Sequence, residues 1–318
     1  MKRLSIFVLL TLLLTGCGIH PAVQKEVQVE AGEALSTEVT DYASLPDSIS
    51  SEDVSLYLDD VDINTPGDYD AHMTYNNKDY SFVVHVMDTV APSASRAMDY
   101  IISTPGILHA SDYVTDISDA TKITVGFVGE PQKRADLSVM NTEEIEADAA
   151  SDKTTVLFSE NSGESETSEL SADFTFEDEG IYDGQIAVQD AGNNRMVFDF
   201  TFYIDGTPPV ITDFEDGEME LSESDDGIYE LNIKMTITDN FDGDITNTEQ
   251  VVSNIEEYDD YVDASVTATD RAGNEVSKQA KLTFPDGFWD KVYEKQLEQF
   301  QDLMDQLDGA VSGKQFLW

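Results

Sequence analysis

Three aspartates, Asp239, Asp242 and Asp244, fall within one short stretch, with Gly243 between the last two. Carboxylates are hard oxygen donors suited to Ca²⁺, and a glycine lets the chain turn sharply enough to converge them, so this stretch is a candidate cation loop. Placed on an EF-hand loop with Gly243 at the sixth position, Asn240, Asp242 and Glu249 fit, but Thr238 stands where the first acidic ligand is needed. The flanks also alternate like strands rather than helices. Asp116 and Asp119 repeat the spacing of Asp239 and Asp242 earlier in the chain. A plainer chemistry competes with the metal, because an aspartate in a turn accepts backbone N–H bonds that would otherwise go unmet. Turn chemistry is the first expectation, and Ca²⁺ is the one cofactor the sequence raises.

Other reactive side chains point to less. The four histidines, His20, His72, His85 and His109, lack metal-ligand spacing, and a lone cysteine excludes both a disulfide framework and a cysteine zinc site. No G-x-S-x-G elbow accompanies the serines. With 65 Asp and Glu in 318 residues, any two carboxylates pair on paper, so the pair that glycoside hydrolysis needs identifies nothing. The sequence predicts no catalytic residue and no enzyme. Against those 65 acids stand 17 Lys and Arg, a formal charge of −48. Nucleic acid is excluded as a partner, since phosphate binding needs a Lys/Arg stripe and none occurs.

The lone cysteine closes a distinctive N-terminus. Lys2 and Arg3 precede an apolar run, Ile6 to Leu14, that is too short for a permanent bilayer span and reads as a secretion signal. The run ends in Leu14-Thr15-Gly16-Cys17, which resembles the lipobox of bacterial lipoproteins. That resemblance implies cleavage before Cys17 and acylation of its thiol. The expected mature protein is an acidic body outside the bacterial cytoplasmic membrane, or on an outer membrane if there is one, held by diacylglycerol and acyl chains.

Behind the anchor, three copies of one pattern recur. Each carries a V/I-T-D mark: Val39-Thr40-Asp41, Val114-Thr115-Asp116 and Ile237-Thr238-Asp239. Each then has a strand of alternating apolar residues, such as Tyr69, Ala71, Met73 and Tyr75, or Tyr182, Gly184, Ile186 and Val188. In the third copy these places hold Val262, Ala264, Val266 and Ala268. Period-two alternation marks a strand with one buried face. A tight turn follows, at Asn76-Asn77-Lys78-Asp79, Asp190-Ala191-Gly192-Asn193 and Asp270-Arg271-Ala272-Gly273-Asn274, and a second alternating strand leaves it. Proline-bearing joints, Asp88-Thr89-Val90-Ala91-Pro92 and Asp205-Gly206-Thr207-Pro208-Pro209, come after the first and second copies. The sequence of T-D-x-x-D, G-x-Y, D-x-A-G-N and D-T-x-P-P-x-I resembles bacterial surface Ig-like repeats, including the type also found in a pesticidal crystal protein. It implies Ig-like β-sandwiches and a role in display, adhesion or spacing, without a fixed ligand.

The expected architecture is all-β: three tandem Ig-like β-sandwich domains followed by a C-terminal amphipathic α-helix. The boundaries are a signal at 1–16, a lipidated tether at 17–25, domains at 26–91, 92–207 and 208–285, and a helix with tail at 286–318. The second domain carries an acidic insertion near 131–170, with Ser159 to Glu166 read as a loop. In the tail, Trp289, Tyr293, Leu297, Phe300, Met304 and Leu307 lie on one helical face, and Gly309 can end the helix. Such a seam must find cover, either on the third domain, which is the preferred reading, or on a partner or second copy. The functional expectation is a lipid-anchored, non-catalytic display stalk or adhesive protein that takes a protein or glycan ligand. The alternatives are a carbohydrate-binding or Ca²⁺-dependent adhesion protein, or an accessory subunit of a surface enzyme complex engaged through the helix.

Overall fold

The computed structural model describes residues 20–150, 153–158, 169–223, 229–258 and 260–312. Cys17 and residues 159–166 lie outside them. Strands dominate, with two α-helices among the described residues, and the expected all-β class with a C-terminal helix is what the structure shows. The chain divides into two compact units. The first holds the first two β modules through Tyr203, apart from Ile102–Thr104 and Leu137–Thr142, and the second holds those stretches with the third module and the helix.

The first and third modules share one plan. In the first, a four-stranded sheet runs in the order Glu26–Glu30, Lys78–Met87, Gly67–Tyr75, Ser55–Tyr57. In the third, the order Gly217–Glu218, Glu275–Thr283, Tyr261–Thr269, Val251–Glu257 reproduces it. Both sheets begin with a strand parallel to the last strand of the module, Glu26 facing Val83 and Gly217 facing Leu282, while the hairpins are antiparallel. A second small sheet closes each core. Ala43 of the Ala22–Val23 and Ala43–Ser44 pair joins Ala71, Met73, Phe82 and Val84 in one apolar cluster. In the third module Ile211, Ile237 and Ile245 meet Val262, Val266, Ala268 and Leu282 in the same way. Two sheets over one core make a sandwich.

The alternation read from the sequence reflects this burial. Along Tyr261–Thr269 the residues Val262, Ala264, Val266 and Ala268 are buried and their neighbours are not. The first hairpin turns on Asn76 and Asn77, both at positive φ (49° and 59°), with Tyr75 facing Lys78, a two-residue turn matched to strand twist. One boundary moves. Ala22–Val23 pairs with Ala43–Ser44, so part of the expected tether belongs to the first module.

The second module is larger. Its hairpin, Gly180–Gln189 and Arg195–Ile204, centres a seven-stranded sheet, and Phe127, Phe176 and Phe202 pack ring against ring beneath it. Thr201 and Tyr203 are buried as fully as Phe200 and Phe202, so both faces of the outgoing strand are covered. The insertion adds to this sheet and places a helix against it. Gln132–Ala135 and Thr154–Leu157 add strands to the sheet, and helix α1 (Thr142–Ala149) buries Ile145 and Ala149. Asp148 on α1 takes the Tyr203 hydroxyl bond at 2.7 Å and a bidentate pair from Arg134. Part of the acidic insertion is therefore regular structure built onto the sheet.

Helix α2 (Phe288–Ser312) runs through Gly309 and past it. Its root packs: Phe288 is buried and stacks on Phe284, with Trp289 edge-on to both. Tyr293, Leu297 and Phe300 are 61%, 67% and 62% exposed. The preferred reading, that the seam docks on the third domain, is corrected to this extent. The side chains of Met304 and Leu307 lie outside the described ones.

Candidate functional site: two aspartate trios

The structure separates the three aspartates proposed as a cation loop. Asp239 ends the strand Thr236–Asp239, and its Oδ1 accepts the N–H groups of Phe241 and Asp242, each at 2.8 Å. Asp242 turns to other work. Its side chain is 2% exposed and pairs with the Arg271 guanidinium, while Oδ2 accepts the Arg271 N–H at 2.8 Å and the Gln250 amide at 2.7 Å. Asp244 is exposed and bonds the N–H and hydroxyl of Thr246, which hold its carboxyl below the usual aspartate range. Asp244 behaves as turn chemistry predicts, whereas Asp242 is taken up by Arg271 and Gln250.

Asp239 instead joins two aspartates that the sequence reading treated as joint and turn residues. One carboxylate oxygen each from Asp205, Asp239 and Asp270 lies within 4.8 Å of the others, and all three residues are buried. Asp205 immediately follows the strand Arg195–Ile204, and Asp270 follows Tyr261–Thr269. Asn274 fixes the arrangement. Its N–H and side-chain amide both bond Asp270, at 2.8 Å each, and the same amide reaches the backbone carbonyl of Asp205 at 2.9 Å. Gly273 permits this loop with φ at 96°. Burial pushes the Asp270 carboxyl above the usual aspartate value, despite the bonds from Asn274, and the nearby Asp239 charge adds to the rise.

The first unit contains the same device. Asp88, Asp119 and Asp190 form the second trio within the same 4.8 Å limit. Asp88 follows the strand Lys78–Met87, and Asp190 follows Gly180–Gln189. Asn194 repeats the part of Asn274, bonding Asp190 and reaching the Asp88 carbonyl at 2.9 Å. Burial is the largest cause raising both the Asp88 and Asp190 carboxyls, with neighbouring acids contributing.

This equivalence corrects the alignment of the repeats. Ser93 faces Ser118, and Val210 faces Thr238, at the same distance from Asp88 and Asp205 respectively. Asp119, rather than Asp116, therefore matches Asp239. A bulge between Thr115 and Ser118, with Asp116 at φ 52°, absorbs the extra residues, so the Val114-Thr115-Asp116 mark falls out of phase. Likewise Asn194, not Asn193, closes the second turn. The signal that could have found the trios was the recurrence of an aspartate straight after each outgoing strand, at Asp88 and Asp205, ahead of its prolines. The first module, turning on Asn76-Asn77, has no aspartate at the corresponding hairpin position.

Carboxylates gathered this closely repel one another when ionised. They can share a proton or hold a hard cation.

No family model matches the chain, and no curated protein matches it. Among solved structures, human cadherin-23 repeats EC21–23 share 11% identity over 68% of this chain and 74% of that one, at a TM-score of 0.22. Mouse cadherin-23 EC22–24 share 10% over 84% and 99%, at 0.24. The M60 catalytic domain with CBM51-1 and CBM51-2 of Clostridium perfringens ZmpB shares 14% over 84% of this chain and 31% of that one, at 0.18. Scores this low do not establish a common overall arrangement.

Proposed function

We propose that this chain is a lipid-anchored, extracytoplasmic bacterial surface protein whose tandem Ig-like modules act by display or adhesion rather than by catalysis. The observation that carries the reading is Cys17, the sole cysteine, at the small-residue end of a short apolar run and five residues before the first strand at Ala22. The thiol is the nucleophile that takes the diacylglycerol, and each buried CH₂ adds about 0.8 kcal/mol, so several chains make a stable anchor. Beyond it the described chain is organised as β modules whose buried groups serve cores and turns. The surface of the body is anionic, which keeps it off anionic headgroups and nucleic acid. The exposed face of α2 at Trp289, Tyr293, Leu297 and Phe300 supports a protein-contact role at the end away from the anchor in sequence.

The test is Cys17→Ser in the native host, with metabolic labelling by an alkyne fatty acid and fractionation of cells. The wild-type chain labels and sediments with membranes, and the variant loses the label. Undiminished labelling of Cys17→Ser refutes the anchor.

A further inference from the structure

We propose that Asp205, Asp239 and Asp270 form a Ca²⁺ site that ties the residue following the strand Arg195–Ile204 to two strand ends of the third module. The trio alone would be no more than an acidic cluster, but the state of Asp239 adds a separate observation. Its Oδ1 is taken by two backbone N–H groups, whereas Oδ2 is buried without a hydrogen-bond partner in a residue only 7% exposed. A buried carboxylate oxygen left unmet carries a desolvation cost that nothing repays, and native proteins rarely leave one so. Here it belongs to a residue whose carboxylate is gathered with those of Asp205 and Asp270.

The geometry explains why no protein donor reaches it. In the first unit the residue two places after Asp119 is Thr121, whose hydroxyl lies 2.8 Å from Asp119 Oδ1 and 2.8 Å from Asp88 Oδ2. The matching residue after Asp239 is Phe241, fully buried beneath the Arg271 guanidinium at 4.6 Å. A ring replaces the hydroxyl, and Arg271, the nearest cation in sequence to Asp270, is turned to Asp242 and to the Met140 carbonyl.

The donor set selects the class of ion. Three carboxylate oxygens with no imidazole or thiol suit a hard cation. Oxygens around Ca²⁺ sit about 2.3–2.6 Å from the ion, so opposite ligands stand about 4.6–5.2 Å apart, whereas the tighter Mg²⁺ shell spans about 4.2 Å. The trio's oxygens, all within 4.8 Å of one another, are near enough to share one such ion. Loop frames are preset by the Asn274 bonds and the backbone bonds to Asp239, so binding needs little rearrangement.

The experiment is calorimetric titration of CaCl₂ into the purified, chelator-treated full-length chain, with thermal melting and limited proteolysis at Gly206–Pro209. Saturable binding is expected, with a Kd on the order of 10⁻⁴–10⁻³ M as for extracellular modules, a melting gain of roughly 5 °C near saturation, and slower cleavage of the connector. Asp239→Asn should remove at least one equivalent of Ca²⁺ and the gain, while its chelated melting point is no lower than wild type, because the new amide donates to the neighbouring carboxylates. Should Asp239→Asn lose its native circular dichroism, Asp205→Asn serves the same test. Asp263→Asn, an exposed surface change, should keep the full response. An absent saturable signal, an equal gain with MgCl₂, or an equal loss in Asp263→Asn would each overturn the proposal in favour of diffuse screening of an acidic surface.

Discussion

The two aspartate trios are built on one frame and finished differently. In both, an aspartate after an outgoing strand, an aspartate at the end of a second strand and an aspartate opening a hairpin meet under an asparagine that locks the turn. At Asp88, Asp119 and Asp190 the gap is filled by the Thr121 hydroxyl, which also accepts the Ala191 N–H at 3.1 Å. One hydroxyl has one proton, so it can donate to Asp88 or to Asp119 but not to both at once. At Asp205, Asp239 and Asp270 the hydroxyl is gone, and its service to the turn N–H has passed to Asp242, which accepts from Arg271. The lesson is that one frame tolerates two fillings: a polar plug that partly satisfies the carboxylates, or an aromatic and ion-paired wall that holds the turn and leaves Asp239 Oδ2 without a hydrogen-bond partner.

Breaking the wall should have the largest effect. Phe241→Ala empties a fully buried ring site and removes the face on which Arg271 rests, so the third module should lose about 3–5 kcal/mol, read as a drop in its denaturant midpoint. Thr121→Val, the matching position in the first unit, keeps the volume and deletes only the hydroxyl. Its expected cost is about 1–3 kcal/mol in chelator. If the plug reading is right, Ca²⁺ should recover more of the stability of this variant than of wild type. A Thr121→Val protein as stable as wild type in chelator would show that the hydroxyl does nothing for the trio.

A third test uses a carboxylate in the opposite electrostatic setting. Asp148 is held below the usual aspartate range, first by the Arg134 bond and also by Tyr203, although burial pushes it the other way. A depressed folded-state value contributes stability that is present above the unfolded value near 3.8 and is lost as pH falls through the folded value. Arg134 is 38% exposed, so solvent screening limits the contribution to about 1 kcal/mol. Asp148→Asn should therefore melt slightly below wild type at neutral pH and converge with it in acid. A gap that persists unchanged below the folded value would assign the loss to packing of α1 rather than to charge.

Strands and hairpins were legible from the sequence because burial on one face writes itself as period two, clearly so in Tyr261–Thr269. The second module obscured that signal. Its strand Arg195–Ile204 buries Thr201 and Tyr203 as well, with Asp148 of α1 taking the Tyr203 hydroxyl, and a stretch rich in acid gave no hint of an element that buries Ile145. The site was half legible. Every aspartate of both trios belongs to a type that favours turns, but convergence depends on strand register. Register was hidden by the bulge at Asp116, which makes a local motif match point to the wrong aspartate. Asp242 and Asp244 looked like ligands because proximity in sequence imitates proximity in space.

The smallest expected effect sets the third module against its appended helix. Burying a large apolar side chain is worth about 1.5–3 kcal/mol, so a docked Phe300 would report its removal clearly. In the structure Phe300 is 62% exposed and Leu297 is 67% exposed, whereas Phe288 at the helix root is 8% exposed and stacked on Phe284. Phe300→Asp should therefore shift stability by no more than about 0.5 kcal/mol, the usual range for surface changes. Phe288→Asp, by contrast, should loosen the root and lower the melting point measurably. The pair of variants separates a seam held out in solvent from one folded back on the sandwich: a fall of more than about 1 kcal/mol in Phe300→Asp, measured by denaturant melting of the monomer, would return that ring to an apolar contact within the chain.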